Sequence, residues 1–304
     1  EGSIVAIGFP AAHFASNCLL IEDIDDLKSQ SVIDRIAVER VALQNQNPGK
    51  THGFAFLLVD GLSMMEDTLA ATISPALRDL PLFGGSAGDG TDFGKTRVAL
   101  NGAVRSNAAV LSLVRTDYET RVFSLNHLVP QERQMVVTEA DPDRRIVKTI
   151  NAEPAAREYA RIVGKDPEQL DQFTFASHPV VVRIGNTHHV RAIQQVNAVG
   201  ELVFFSAIDE GMVLTVAEPL HMAEHLEEQL TLLSDEGRMT DIIGCDCLLR
   251  RIEAEQKQMS RAVSDVLSRH NVMGFSTYGE QIGPLHVNQT MSGVAIYAPE
   301  ASEE

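Results

Sequence analysis

The sequence predicts a mixed α/β (α+β) protein of two sheet-and-helix domains, and three observations carry that expectation. The first is size and balance. At 304 residues, 44% hydrophobic and 22% charged, the chain is globular and long enough to bury two cores. The second is an early βα unit, in which the wholly apolar run FAFLLV (Phe54 to Val59) suits a strand covered on both faces, and Asp60-Gly61 turns the chain into a helix from about Ser63 to Ile73. The third is β patterning from Pro179 to Val216, broken at Gly185-Asn186, Asn197 to Gly200 and Glu210-Gly211. About four antiparallel strands account for it.

Taken in order, SIVAIGF (Ser3 to Phe9) reads as a buried strand, and Glu22 to Gln44 as an amphipathic helix with an acidic start that suits the helix dipole. The glycine-rich run LPLFGGSAGDG matches no phosphate-binding pattern, so a tight turn or a close approach to a ligand is expected there. Paired strands follow at Arg97 to Val104 and Ala108 to Val114, with β character continuing over Tyr118 to His127. The domain boundary is placed in this region: residues 1–118 form the first domain, 119–298 the second, and 299–304 a disordered tail.

The second domain opens with a hairpin around Asp141-Pro142 and a helix with Pro154 at its first position and Gly164 as its stop. A later helix, about Pro219 to Leu233, sets Ala223, Leu226, Leu230 and Leu233 on one side and His221, His225 and Glu228 on the other. That opposed placement makes the two histidines solvated surface residues, despite their metal-like spacing. A buried strand, Thr240 to Cys245, then leads into one long helix ending near His270, before closing strands complete the sheet.

The formal charge of -17 and pI near 5.0 disfavour nucleic acid and anionic membrane surfaces, both of which are bound through excess Lys and Arg. Three cysteines do not make a secreted disulfide framework, and no apolar run is long enough to span a bilayer, so a cytoplasmic location is expected.

Polar chemistry concentrates in GFSTYGEQIGPLHVNQTMSGVAIY (274–297), where Tyr278, Glu280, His286 and Asn288 stand between apolar runs. A site accounts for this, and so does a turn-rich terminal hairpin. Just upstream, Cys245-Asp246-Cys247 lacks the second cysteine pair that a structural zinc needs. Arg250 suits a carboxylate or a propionate held by both guanidinium arms, or an ion pair with Glu280. No hydrolase signature is present. The enzymatic alternative is Cys247 as nucleophile with a histidine base.

Three segments together resemble the FIST family (F-box and intracellular signal transduction proteins): LPLFGGSAGDGTDFGKTRVALNG, IIGCDCLLRRIEAE with its Cys247-x-x-Arg250 spacing, and GFSTYGEQIGP followed by NQT. The forms GCDC-x-LRR, GFSTYGEQ and HVNQT are most similar to the nitric-oxide-sensing (NosP) branch. That resemblance implies haem b with nitric oxide bound at ferrous iron, and a proximal histidine for which His286 is the first candidate and His127 the second. It also implies a signalling partner, a histidine kinase or a cyclic-di-GMP enzyme; a homodimer is left open. The chain opens on Glu1, and by the same resemblance the N-terminal domain is expected to lack its first βα units. The rival within the same fold is a haem-free sensor of a small metabolite such as an amino acid, held among Arg250, Tyr278, Glu280 and Asn288.

Overall fold

The computed structural model describes residues 4–185 and 187–299. The first part runs β1 (Phe14–Glu22), α1 (Ser29–Gln46), β2 (His52–Asp60), α2 (Glu66–Leu77), β3 (Leu82–Ala87), a small hairpin of β4 (Val98–Leu100) and β5 (Ala103–Arg105), and β6 (Ala108–Thr116). Next come β7 (Glu119–Leu125), β8 (Leu128–Asp141), β9 (Ile146–Ile150), β10 (Glu153–Pro154), α3 (Ala155–Val163) and α4 (Gln172–Ser177). Five strands follow: β11 (Val180–Ile184), β12 (Thr187–Val190), β13 (Ile193–Val196), β14 (Leu202–Phe204) and β15 (Val213–Pro219). The chain finishes with α5 (Met222–Ser234), β16 (Met239–Cys247), α6 (Leu248–Gln256), α7 (Ser260–Arg269), β17 (Val272–Thr277), β18 (Glu280–Ile282), β19 (Leu285–Val287) and β20 (Met291–Tyr297).

These strands make three larger sheets. The first has the order β1-β6-β2-β3-β18-β19, the second β12-β11-β15-β8-β9-β14-β13, and the third β17-β16-β20-β7. The closing motif is therefore shared: β17 and β20 belong to the third sheet, while the β18–β19 hairpin pairs with β3 and completes the first, Glu280 opposite Gly85. The pairs β2/β3 and β16/β17 are parallel, and each is followed by helix or loop at its carboxyl end.

Apolar patterning explains the layers. Leu69, Ile73 and Leu77 of α2 cover Leu57 and Val59 of β2, while Phe54, Phe83 and Val114 of the first sheet meet Ile243, Val294 and Ile296 of the third. Helices α5 and α7 cover the other face of the third sheet through Leu226, Leu230, Val263 and Val266. Tyr159 of α3 and Phe175 of α4 cover the second sheet. The side of α5 expected to be apolar is the buried one, and Gly164 ends α3 with a left-handed φ of 72°.

Several expectations are corrected. Residues 4–9 form no strand: Ile4 is 93% exposed, and the segment is held at its base by Phe9, whose ring lies 4.9 Å from that of Phe14. The helix expected to run unbroken to His270 is two helices. Gln258 takes a φ of 58°, and the Met259 amide donates to the Ala254 carbonyl, which closes α6 before α7 begins. The region Arg97 to Val104 folds back on itself as β4–β5. The glycines of LPLFGG lie in a strand and not in a turn. A Cβ on Gly85 would sit 2.3 Å from Thr277 Cγ2, so the close approach there is made by the chain itself. The tail placed at 299–304 falls almost wholly outside the described residues, as does Asn186 of the Gly185-Asn186 turn.

Candidate functional site

The residues singled out in the sequence fall into three hydrogen-bonded sets. The first is a closed charge network. Because α6 starts directly after β16, Asp246 and Arg250 stand one helical turn apart, as do Glu253 and Lys257, and all four can meet His127 at the β7–β8 junction. Arg250 Nε donates to Asp246 at 2.6 Å, Arg250 Nη1 to His127 Nδ1 at 2.9 Å, and His127 Nε2 lies 3.0 Å from Glu253. Lys257 closes the run at 2.7 Å from Glu253. A guanidinium only donates, so Nδ1 is the acceptor and Nε2 carries the proton. Burial, with help from the neighbouring Arg250 charge, lowers the His127 pKa and keeps the ring neutral. Arg250 makes no ion pair with Glu280.

The second set surrounds Glu280. Its carboxyl is fully buried and bound by the hydroxyls of Thr277 and Thr290, the latter at 2.5 Å. Burial pushes its pKa up to about 8 against those two hydrogen bonds. Cys245 and Cys247 are free and buried, and burial together with Glu280 holds both thiols well above their ordinary range. Nucleophile activation requires the opposite shift, so the structure gives Cys247 no help toward such a role.

The third set lies at the seam between the N-terminal sheet and the second sheet. Arg145, in a left-handed turn, reaches across to Glu66 at the start of α2 at 2.6 Å. Ser206 Oγ donates to Asn288 at 3.0 Å, and the Asn288 amide reaches the Tyr278 carbonyl at 3.4 Å. Gln281 bridges Ser86 at 3.0 Å and His286 Nδ1 at 3.1 Å, and the His286 carbonyl accepts from Arg191 at 3.4 Å. Two buried atoms here, Arg191 Nε and Gln281 Oε1, have no partner among the described residues.

Outside the seam is a cleft of ≈ 830 Å³ walled by Gly88 to Asp92, Gly274 to Tyr278, Leu248 and Arg251. It opens at the carboxyl ends of β3, β16 and β17, where open α/β sheets bind ligands. Tyr278 joins cleft to seam: its hydroxyl donates to the Asp89 carboxylate and lies 2.8 Å from the Gly90 carbonyl, while its own carbonyl accepts from Asn288. Phe93 stacks on Tyr278 at 4.8 Å and on Phe205 at 5.8 Å, closing the wall between them.

Of the residues selected from sequence, Tyr278, His286 and Asn288 are thus brought together, and Arg250, His127, Cys247 and Glu280 lie in the other two sets. Arg251, and not Arg250, borders the cleft. Sequence reading missed Glu66, Asp89, Arg145, Arg191, Ser206 and Gln281. Arg191 carried a usable signal, a cation between apolar neighbours in a β run. The others depend on contacts between residues up to 195 positions apart.

An iron ligand needs a free ring nitrogen facing an apolar hollow. Both nitrogens of His127 are engaged. His286 Nε2 has no hydrogen-bond partner among the described residues, but the ring is 1% exposed and packs so closely on Gly279 that a Cβ there would lie 2.4 Å from His286 Cε1. As they stand, these residues do not fit a haem. Among the described residues, no group of three His, Cys, Asp or Glu side chains is placed to hold a metal ion.

Fold and cleft define a two-domain mixed α/β protein with a ligand-sized hollow at the carboxyl ends of its strands. The chain belongs to the FIST family: residues 1–153 match the FIST N domain and residues 155–283 the FIST C domain. FIST domains are sensory domains of signalling proteins. No curated protein matches the chain. The FIST C match ends in the turn between β18 and β19, short of His286 and Asn288. No helix among the described residues is long and apolar enough to cross a membrane.

Proposed function

We propose that this chain is a sensory module that takes a small polar metabolite of the amino-acid class into the cleft beside Tyr278 and passes the bound state to a separate signalling enzyme. The observation that carries this reading is the cleft itself. It is ligand-sized, it lies where parallel strands end, and its wall includes Tyr278, which also holds the buried seam. Recognition without chemistry suits a cleft whose wall carries no cysteine, the buried thiols of Cys245 and Cys247 lying in the separate Glu280 set with their pKa raised. The partner in this reading is a histidine kinase or a cyclic-di-GMP enzyme.

Thermal-shift and calorimetric titration of the purified protein against amino acids and related metabolites tests the reading. A metabolite that binds one-to-one is expected, with Tyr278→Phe weakening it about 3- to 10-fold, the worth of one hydrogen bond. Absence of any binder would end it.

The second reading, haem b sensing nitric oxide as in the nitric-oxide-sensing branch, takes His286 of the closing motif as the iron ligand and needs its proton moved from Nε2, where the Gln281 donor to Nδ1 now places it, to Nδ1. It requires the Tyr278 to Asn288 hairpin to open. A Soret band at stoichiometric haem, lost in His286→Ala and kept in His221→Ala, would establish it over the metabolite. No retained or reconstituted haem would remove it.

A further inference from the structure

The seam contains a buried cation that makes no contact ion pair, although the Asp67 and Asp209 charges act on it from further off. Arg191 is 5% exposed, makes no ion pair among the described residues, and spends its Nη1 on two backbone carbonyls, Val190 at 3.2 Å and His286 at 3.4 Å. Its Nε has no hydrogen-bond partner among the described residues. The nearby Arg145 makes the contrast, since Glu66 neutralises it directly and Asp67 is already shared between Arg145 and the Ala207 amide. A buried, unpaired guanidinium is among the costliest groups a protein can keep.

The second orphan has the complementary need. Gln281 donates through Nε2 to Ser86 and His286, which leaves Oε1 buried and without a donor. Both orphans belong to one hydrogen-bonded run from Ser86 through Gln281 and His286 to Arg191. One group asks for an acceptor with negative charge and the other for a donor. Buried polar groups are satisfied in nearly all native structures, and Arg191 stands apart from Arg40 and Arg115, whose Nε atoms are also unpartnered among the described residues, in having no carboxylate in contact.

We propose that Arg191 is the carboxylate seat of the sensed metabolite, with Gln281 Oε1 accepting from an ammonium or hydroxyl group on the same molecule. The ligand class is an α-amino or α-hydroxy acid. The planar fork of Arg191, with Nε free, is shaped for a carboxylate held through two hydrogen bonds. Phe93, whose ring stands against both Tyr278 and Phe205, separates this position from the cleft, and its displacement is part of the proposal. This rests on the sensory reading above and specifies its ligand.

The test is calorimetric titration of the 304-residue protein with the common amino acids, their α-hydroxy analogues and their carboxamides, repeated on Arg191→Met and Arg191→Lys. The expected result is an acid that binds while its carboxamide does not, weakened at least ~30-fold by either substitution. Ligand-free Arg191→Met should melt roughly 2–4 °C above the parent, because a buried charge with no contact counter-ion has been removed. Binding of a non-carboxylate, or of an acid equally well by the variants, overturns the assignment and leaves the sensory reading standing. No binder overturns both. A melting temperature of Arg191→Met well below the parent makes Arg191 a structural residue and ends the proposal, as does an experimental structure in which water alone satisfies both orphans.

Discussion

The networks around Arg250 and Arg191 contain the same kinds of residue and are built to opposite standards. Around Arg250, each charged group has a partner: Asp246 and His127 for the guanidinium, Glu253 for the imidazole, Lys257 for Glu253. Around Arg191 two buried atoms are left over. A closed network of this kind fixes how α6 leaves its strand and gains nothing from a ligand. An incomplete one is a cost that folding does not recover by itself. The comparison teaches that burial and charge do not by themselves distinguish a binding group from a structural one; Arg40 and Arg115 also bury an Nε without a partner among the described residues, but each pairs with Asp79, and Arg191 differs in making no ion pair.

The largest effect that would break this contrast is at Arg250. Replacing it with Ala leaves Asp246 and His127 without their shared donor, and the expected loss is about 3–5 kcal/mol, read by denaturant unfolding. A loss below about 1 kcal/mol would mean that the network is no more structural than the seam.

Next in size is the pH dependence set by Glu280. Its pKa in the folded protein is raised to about 8 from the ordinary 4.5 of a glutamate, so the folded state holds a proton that the unfolded chain gives up. That contribution is complete below pH 4.5 and declines as pH rises toward 8, at roughly 1.4 kcal/mol per unit. Glu280→Gln should flatten the stability profile across this window and exceed the parent in stability at its alkaline end. Parallel profiles would show that Glu280 is ionised in the fold.

The smallest effect sharpens the reading of the cysteines. Exposed Cys18 should be alkylated at once at neutral pH, and Cys245 and Cys247 only at the rate of unfolding. Prompt modification of Cys247 in the native protein would reopen its candidacy as a nucleophile.

Much of the fold was legible locally, because an apolar period reports what each element must bury. FAFLLV became β2, and the leucines of α5 face inward as their spacing requires. Where local signals misled, a particular contact is responsible. Ile4 to Phe9 is apolar enough for a strand but pairs with none among the described residues, and the α6–α7 break rests on one residue, Gln258, in a left-handed conformation that no glycine announces. The site was half legible. YGEQ-x-x-P-x-HVNQT pointed to Tyr278, His286 and Asn288, yet nothing local separates Arg250, paired with Asp246 at the end of β16 and with His127, from Arg191, which makes no ion pair among the described residues and bonds only to backbone carbonyls.

The sequence alone determined the class of the protein: two sheet-and-helix domains, an acidic surface, and the segments that place it with FIST proteins. Periodicity, charge and motif order are properties of neighbours along the chain, and they survive without coordinates. Only the tertiary structure decided which polar side chains are satisfied. Hydrogen-bond completion depends on where strands from opposite ends of the chain are paired, as when Glu280 comes to lie opposite Gly85, and no local pattern encodes that register.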